Sequence, residues 1–523
     1  MKNKVKALSF STTLRNPERI IDFLKCLQPF NGLFLNNETI VQIVKEVIKN
    51  KVYKTKYILE NTELFNVLKD ENKTFTNEQL NEIITNSPQN HKEKCFEKGW
   101  PSRFDTWYKL IKEFGFINYE MNRKLEITPT GWLLLSSTNL ENKINDNDIY
   151  LNALMKYQTQ NPFRVTSQNY KPLIFTVQVL KYLEQKINEF AGLSKKEISL
   201  ILCWQNDNYE EFGNFILDLR KQYSNTPTDE ILYELCLNFL NSKNEKRFKL
   251  SQLLKEGVDD LIRKLRITGL FTLRGNGRYI NLNSLRKNDI EYVIKNYSQI
   301  KKFKDESDYI CYMSEVDKNI VKTRNLEISE SINIQNIKQI SLLNFANIYP
   351  YSKIIDEINN LILNKPSKDE ILKMINGPVR FEFLIAIILK KKFPTLEVNP
   401  NYIIDDQGIP INHASGNQSD IEIFDSSSLI LTEVTLIKNK SQAIYEIPSI
   451  TRHLAEINKN SITEKYAFFV APQIHQDAIY MCQFTKWQYN IEFFYFNVLD
   501  FIQNIIKAEN IHNLRFNILS EVK

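Results

Sequence analysis

Two short apolar runs in the last quarter of the chain predict a pair of neighbouring strands. Ile421–Phe424 and Leu429–Leu436 are rich in aliphatic and β-branched residues, and Asp425–Ser428 between them has the composition of a turn. So short a connection brings Asp420 and Glu433 to neighbouring positions. Paired carboxylates are oxygen ligands for a divalent cation such as Mg2+, although two solvated acids at strand ends give the same pattern.

Helical patterns lie on both sides of this strand pair. After Gly377 and Pro378 the apolar positions recur at helical spacing, and they are Phe381, Leu384, Ile385 and Ile388. Glu382 lies among them, so its side chain faces either solvent or a metal site. Glu446 and His453 follow the second strand and are seven residues apart, which allows one helix to place both on one face. A lone histidine on such a helix is either structural or a donor close to the acids.

Two helix-plus-hairpin patterns occur earlier in the chain. In the first, a helix ending near Gly115 precedes two alternating runs that join at Met121–Lys124. In the second, the helical stretch Asp259–Arg266 precedes a hairpin, and Gly275-Asn276-Gly277 supplies the positive φ angles of a tight turn. A helix with a basic-tipped hairpin is typical of a winged helix, which contacts duplex DNA. A scaffold that does not touch DNA has the same pattern.

Basic residues of the front part are candidates for DNA contact. They are either surface charge or ligands of phosphates and bases. The candidates are Arg15, Arg19, Arg103, Arg123, Lys124, Arg263, Arg274 and Arg278.

Local capping signals mark two helix starts. Asn16 and Pro17 predict a helix that begins there, with asparagine as the cap and proline in the first position. Ser194 and Glu197 have the spacing of a capping box.

Composition places the chain among soluble proteins of several domains. The 523 residues are 42% hydrophobic and 25% charged, with a net charge of +6. Residues 377–523 hold 13 Lys and Arg against 16 Asp and Glu, so this part is −3 and the part before it is +9. Positive charge in front suits phosphate contact, and acid at the back suits a metal site, although charged runs are most often solvated surface.

Cysteine spacing and hydropathy indicate the compartment. The six cysteines are scattered without a CxxC pair, which favours reduced thiols over disulfides or a zinc site. No apolar run has the length of a membrane span, and the start of the chain lacks a signal sequence. We expect a soluble protein of a prokaryotic cytoplasm.

The opening block resembles that of a known family. Leu8–Gly32 reads LSFSTTLRNPERIIDFLKCLQPFNG and is similar to the start of the AlwI family of type IIS restriction endonucleases and related strand-specific nickases. The similarity continues in the family's order, in Arg103–Trp107, Lys156–Pro162, Leu265–Ile280, Gly377–Phe383, Glu433–Leu436 and Ser449–Leu454. The acid pair also resembles the core of PD-(D/E)xK nucleases, with two departures. Ser419 stands in place of the proline, and Thr435 in place of the usual lysine.

This resemblance implies a multidomain α+β architecture. We expect a winged-helix-like DNA-recognition half, a helical linker and a C-terminal α/β nuclease domain of PD-(D/E)xK type with a central mixed sheet. The expected boundaries are 1–150 and 151–283 for two recognition subdomains, 284–350 for the linker and 351–523 for the nuclease domain.

The resemblance also implies an activity. The protein would bind a short asymmetric duplex sequence and hydrolyse phosphodiester bonds a few base pairs outside it, by Mg2+-assisted attack of water. One or two Mg2+ ions would be held by Asp420, Glu433, the backbone carbonyl of Val434 and Glu382. Glu446 and His453 would position water or balance charge, since Thr435 replaces the lysine.

One such site cuts one strand at a time. A monomer would therefore nick DNA, and double-strand cleavage would need a transient homodimer or a small second subunit. Two other functions fit part of the chain. A non-catalytic winged-helix DNA-binding regulator explains the front half and leaves the acids without a role, and a nuclease of repair or mobile elements would cut without dependence on one short sequence.

Overall fold

The computed structural model describes residues 5–10, 13–70, 72–137, 145–187, 192–223, 227–321, 328–414, 418–425, 428–456 and 464–515. The chain is a mixed α+β protein that divides into two units, Met1–Thr323 and Arg324–Lys523. Within the described ranges, no helix combines the length and the apolar character needed to cross a membrane.

The first unit is mainly helical. Its helices are α1 (Arg19–Leu27), α2 (Asn37–Lys49), α3 (Lys56–Glu60), α4 (Thr62–Lys69), α5 (Asn77–Asn86), α6 (Trp100–Glu113), α7 (Pro129–Ser136), α8 (Asp146–Leu154), α9 (Pro172–Lys186), α10 (Lys195–Cys203), α11 (Tyr209–Tyr223), α12 (Asp229–Phe239), α13 (Gly257–Arg266), α14 (Lys287–Tyr297) and α15 (Glu306–Ser314). Its strands are β1 (Ile117–Asn118), β2 (Glu126–Ile127), β3 (Leu193–Ser194), β4 (Phe271–Arg274) and β5 (Tyr279–Leu282).

Both predicted helix-plus-hairpin patterns are present in this unit. After α6, the strands β1 and β2 pair antiparallel. After α13, the hairpin β4–β5 gains β3 as a third strand, in the order β3-β5-β4. The turn residues Gly275, Asn276 and Gly277 have φ angles of 59°, 56° and 78°, which confirms the positive φ that the sequence predicts. The capping box at the start of α10 is also confirmed, since Ser194 and Glu197 bond each other's backbone N–H.

The opening block packs against α13. Phe10 N–H donates to the Asp260 carboxylate at 3.4 Å, and the Lys264 ammonium donates to the carbonyl of Leu14 at 3.0 Å. The predicted helix start at Asn16 and Pro17 is wrong, because α1 begins at Arg19. The carbonyls of Asn16 and Pro17 instead accept bonds from residues three positions later, which makes this stretch a turn before the helix.

The second unit is a sheet covered by helices on both faces. Its helices are α16 (Ile328–Ile348), α17 (Tyr351–Ile362), α18 (Gly377–Lys392), α19 (Ile447–Glu456), α20 (Gln476–Tyr489) and α21 (Val498–Lys507). Its strands are β6 (Glu397–Pro400), β7 (Ile403–Ile404), β8 (Pro410–Asn412), β9 (Ile421–Asp425), β10 (Ser428–Val434), β11 (Glu464–Ala471) and β12 (Glu492–Asn497).

The five-stranded sheet is mixed, as the family resemblance implies. The strand order is β12-β11-β10-β9-β6. β10, β11 and β12 run parallel, whereas β9 pairs antiparallel with both β10 and β6. On one face Leu429 and Leu431 pack with Ile447, Ile450 and Leu454 of α19. Helix α18, whose side chains are buried from Val379 to Leu389, packs on the other face against β6 and β10.

Candidate active site

The two predicted acids meet at one end of the central strands. The register pairs Thr432 with Ile421, so Asp420 and Glu433 are the next opposed positions. The Asp420 N–H donates to Glu433 Oε2 at 3.3 Å, and the Val434 N–H donates to Asp420 Oδ2 at 2.8 Å. The strand pair therefore fixes both carboxylates through the backbone. The Val434 carbonyl, expected to bind metal, belongs to the same stretch.

Glu382 reaches this cluster from α18. Its side chain is only 3% exposed. Oε1 lies 2.6 Å from Nδ1 of His413, whereas the buried Oε2 has no hydrogen-bond partner among the described residues. Burial is the first cause that raises the pKa of Asp420, and the charge of Glu382 is the second.

Glu446 and His453 approach from the other face of the sheet. A five-residue π-helical turn, Gln442–Glu446, runs directly into α19. The helix thus starts before Ser449, and Pro448 lies in its first turn, where a missing N–H is tolerated. His453 Nδ1 lies 3.2 Å from Glu433 Oε1, and both side chains are nearly buried.

Burial and neighbouring carboxylates raise the pKa of two acids in the cluster, Asp420 and Glu446. Burial raises the pKa of Asp420 well above its ordinary range, and the charges of Glu382 and Glu433 raise it further, against the hydrogen bond from Val434. Burial, followed by the charge of Glu433, raises the pKa of Glu446 to about 7. Such an assembly of acids is unfavourable without a counter-charge.

The donor set fits a hard divalent cation. In the described part of the chain, no three His, Cys, Asp or Glu side chains stand close enough to form a ready-made metal site, and both oxygens of Glu433 already accept hydrogen bonds. The bare Oε2 of Glu382 and the mutual repulsion of the acids are nevertheless what a bound cation would relieve. Carboxylate oxygens are the ligands that Mg2+ prefers.

Two residues near the acids, His413 and Lys338, are not predicted by the sequence. His413 follows β8 in a polar stretch without periodicity, so nothing in the sequence indicates its bond to Glu382. Lys338 on α16 is buried, donates to the carbonyl of Pro400 at 3.0 Å and lies 5.7 Å from the Tyr402 ring centre. Burial lowers the pKa of Lys338 to about 8, against the attraction of Glu382. The amphipathic pattern of α16 is weak, which hid this lysine.

Several arginines predicted to contact DNA also bond within the first unit. Arg19 donates to the carbonyls of Thr13 and Val52, at 3.1 and 2.7 Å. Arg103 bonds His91 Nε2 and Tyr53 Oη, both at 2.8 Å. These two guanidinium groups hold the fold together, whatever else they contact.

The remaining basic candidates are distributed over the two hairpins, the opening block and helix α13. Arg15 pairs with Glu256 at 2.8 Å, and Arg123 pairs with Glu120 at 3.0 Å. Lys124 lies 6.0 Å from the ring centre of the exposed Phe34, whose strand-like segment pairs with it. Arg263 is half-buried on α13. Arg274 and Arg278 flank the Gly275–Gly277 turn, and Arg278 is exposed.

A family comparison covers most of the chain. The family model described as AlwI restriction endonuclease matches residues 112–374 and 335–494. No curated protein sequence matches the chain.

Solved structures of restriction endonucleases are also similar to the chain. The small subunit of the heterodimeric restriction endonuclease R.BspD6I is 26% identical, over 31% of this chain and 84% of that chain, with a TM-score of 0.26. Restriction endonuclease FokI is 10% identical over 99% of both chains, with a TM-score of 0.25. FokI bound to DNA is 13% identical over 99% of both chains, with a TM-score of 0.24. Because these TM-scores are low, the family match alone bears on function.

Proposed function

Because the chain belongs to the AlwI restriction endonuclease family, we propose that it acts as a type IIS enzyme, which binds a short asymmetric sequence in duplex DNA and cuts a few base pairs outside it. Membership of the family makes the protein a site-specific deoxyribonuclease. The observation that supports the finer proposal is the pairing of Asp420 and Glu433 at one end of the sheet, with Glu382 near enough for its charge to act on Asp420.

The chemistry follows from the acid cluster. Restriction endonucleases generally use Mg2+, and one or two bound ions would polarise the scissile phosphate and acidify a water molecule. Glu382, Asp420, Glu433 and the Val434 carbonyl would hold the metal. His453 fixes Glu433 through the bond at Oε1. Glu446 is the candidate to accept the proton of the attacking water, since its pKa lies near neutrality.

The first unit is proposed to read the DNA sequence. The strands are ordered β3-β5-β4, helix α10 packs against α13 and β3, and α13 precedes β4 in the chain. This arrangement supports a winged-helix-like module there. Its hairpin carries Arg274 and Arg278, which suits contact with phosphates. The β1–β2 hairpin with Arg123 and Lys124 would serve as a second contact. We keep the boundaries 1–150, 151–283, 284–350 and 351–523 as the proposed division.

A second copy of the chain is the proposed partner for double-strand cleavage. Tyr480, Phe484 and Trp487 lie along one side of α20, and they are 61%, 48% and 78% exposed. Ile444 and Tyr445 of the neighbouring π-helical turn are 60% and 64% exposed. We call these five residues the aromatic face. It carries no charge that would repel a copy of itself, and it adjoins Glu446, so a partner seated there would bring its own site close.

The test is cleavage by an Asp420→Asn variant. Purified protein is incubated with supercoiled plasmid and Mg2+, and the ends are mapped on both strands. We expect wild type to cut at one fixed offset from a short sequence, and the variant to lose at least about 10³-fold in rate while it still binds the same sequence. Asp425→Asn, at the opposite end of β9, is the matched control and should cut normally. An active Asp420→Asn protein would remove the site assignment, and sequence-specific binding without any nicking by wild type would favour a regulator.

A further inference from the structure

The short hairpin β7–β8 holds His413 beside the acid cluster. Two backbone N–H groups, those of Gln407 and Ile409, donate to the Asp405 carboxylate at 3.0 Å and shape its turn. Ser341 of α16 donates to the carbonyl of Gly408 at 3.0 Å. The hairpin also packs on α18, next to Glu382. His413 directly follows β8, so its ring is delivered by a well-anchored element.

The His413–Glu382 contact is asymmetric. Nδ1 lies 2.6 Å from Oε1, a short distance for a hydrogen bond to a carboxylate. Oε2 of the same carboxylate is buried and has no hydrogen-bond partner in the described ranges. A buried oxygen left bare costs free energy. Glu382 is 3% exposed, whereas the His413 side chain is 44% exposed. The histidine therefore lies at the solvent-facing edge of the cluster, next to a buried carboxylate.

We propose that His413 is a positioning residue: its Nδ1–H fixes one oxygen of Glu382 so that the other stays directed to the cation shared with Asp420 and Glu433. This inference rests on the proposed metal-dependent function. His413 is not among the site residues predicted from the sequence. Its proposed role is to orient Glu382, a carboxylate that the strand pair β9–β10 does not hold. Partners that orient metal ligands in this way typically change metal affinity by about 10–100-fold when removed.

Two substitutions separate the ring nitrogens. The amide nitrogen of asparagine can take the place of Nδ1, whereas that of glutamine takes the place of Nε2. We expect His413→Gln and His413→Ala to raise the Mg2+ concentration for half-maximal cleavage about 10-fold or more, and His413→Asn to stay within about 3-fold of wild type. Titration calorimetry with Mg2+ on the full chain without DNA should give the same ranking.

The matched control is His512→Ala. His512 pairs with Asp425 at 3.0 Å, at the opposite end of β9, so it tests loss of a histidine–carboxylate pair in the same unit. This variant should keep the wild-type Mg2+ dependence. In a Glu382→Gln background, the difference between the asparagine and glutamine variants should vanish, because the oriented ligand is gone.

Equal Mg2+ dependence of His413→Asn and His413→Gln would overturn the inference, as would unchanged dependence in His413→Ala. The two proposals fail separately. If wild type cuts no DNA but calorimetry still ranks the variants as expected, the positioning role stands and the endonuclease function falls. If wild type cuts and the variants do not separate, the positioning role alone is wrong.

Discussion

At the scale of single residues, burial and neighbouring carboxylates make the ionised forms of Asp420 and Glu446 unfavourable. Asp420 accepts a bond from the Val434 N–H, yet burial and two neighbouring carboxylates oppose its ionised form. Thr435, two residues after Glu433, contributes no charge. Lys338, whose ammonium group is near enough to interact with the charge of Glu382, is itself buried and contacts Pro400 and Tyr402. The acid cluster therefore gains stability from anything that supplies positive charge.

Asp420→Asn should stabilise the metal-free protein. The amide keeps an oxygen to accept the Val434 N–H and removes one repelling charge. We expect the melting temperature of the second unit to rise by roughly 2–4 °C in EDTA, which corresponds to about 1 kcal/mol. Scanning calorimetry checks it. With saturating Mg2+ the order should reverse, because only wild type gains from the ion.

The stability that Glu446 contributes to the metal-free protein should decrease as the pH rises. Its pKa is raised from the ordinary 4.5 to about 7, so the folded state binds the proton more tightly than the unfolded state. Stability is then highest below pH 4.5 and is lost as pH rises through 7, by roughly 2–3 kcal/mol. Urea unfolding in EDTA at pH 5, 6 and 7 measures this slope. Glu446→Gln should flatten it, and a variant as steep as wild type would contradict the assignment.

At the scale of elements, tight turns and caps decide where side chains are delivered. The Gly275-Asn276-Gly277 turn closes a hairpin in which Arg278 is exposed. The capping box of Ser194 starts α10 beside the same sheet, where the Lys195 N–H donates to the Arg278 carbonyl at 3.0 Å. In the second unit the antiparallel β9–β10 pair places two acids together, and the π-helical turn before α19 supplies a third. The turn, the cap and the strand pair follow from local sequence, so their existence is predictable even where their contacts are not, whereas the π-helical turn is seen only in the structure.

The double variant Arg274→Ala, Arg278→Ala should weaken binding to the recognition sequence by about 10-fold or more at moderate salt. Loss of two phosphate contacts should also lower the slope of log affinity against log salt by roughly 2. Binding titrations at several salt concentrations measure both. Lys56→Ala with Lys221→Ala is the control, since both lysines are exposed on helix surfaces of the same unit. An unchanged slope in the arginine variant would exclude phosphate contact there.

At the scale of the whole molecule, the chain divides into two compact units. Recognition is proposed for the first and cleavage for the second. The aromatic face belongs to the second unit only, and its uncharged rings leave apolar surface in water that association would remove. The division into two units and the exposed aromatic face each lead to one prediction at this scale.

Heating should unfold the protein in two transitions. Mg2+ should raise only the transition of the second unit, because the acids lie there, and the recognition sequence in EDTA should raise only that of the first. Calorimetry with each ligand in turn distinguishes them. A single transition shifted equally by both ligands would contradict two independent cores.

Trp487→Ser should separate the two strand cuts. This side chain is 78% exposed, so the fold should not depend on it. We expect the first nick to keep its rate and the second-strand cut to slow by about 10-fold, with less self-association in sedimentation on DNA. Leu363→Ser, an exposed apolar residue of the same unit at 60%, serves as the control. Equal slowing of both cuts would point to the site and not to an interface.

The sequence by itself determined the elements and the family. Runs of aliphatic and β-branched residues predict β9 and β10, glycine and asparagine predict the hairpin turn, and Ser194 with Glu197 predicts the start of α10, because each depends on neighbours a few residues away. Only the tertiary structure decided how Arg19 and Arg103 bond within the fold. It also decided that His413 holds Glu382, 31 residues away. His413 and Glu382 meet through the packing of α16, α18 and the β7–β8 hairpin. Local periodicity predicts single elements and not the contacts between them.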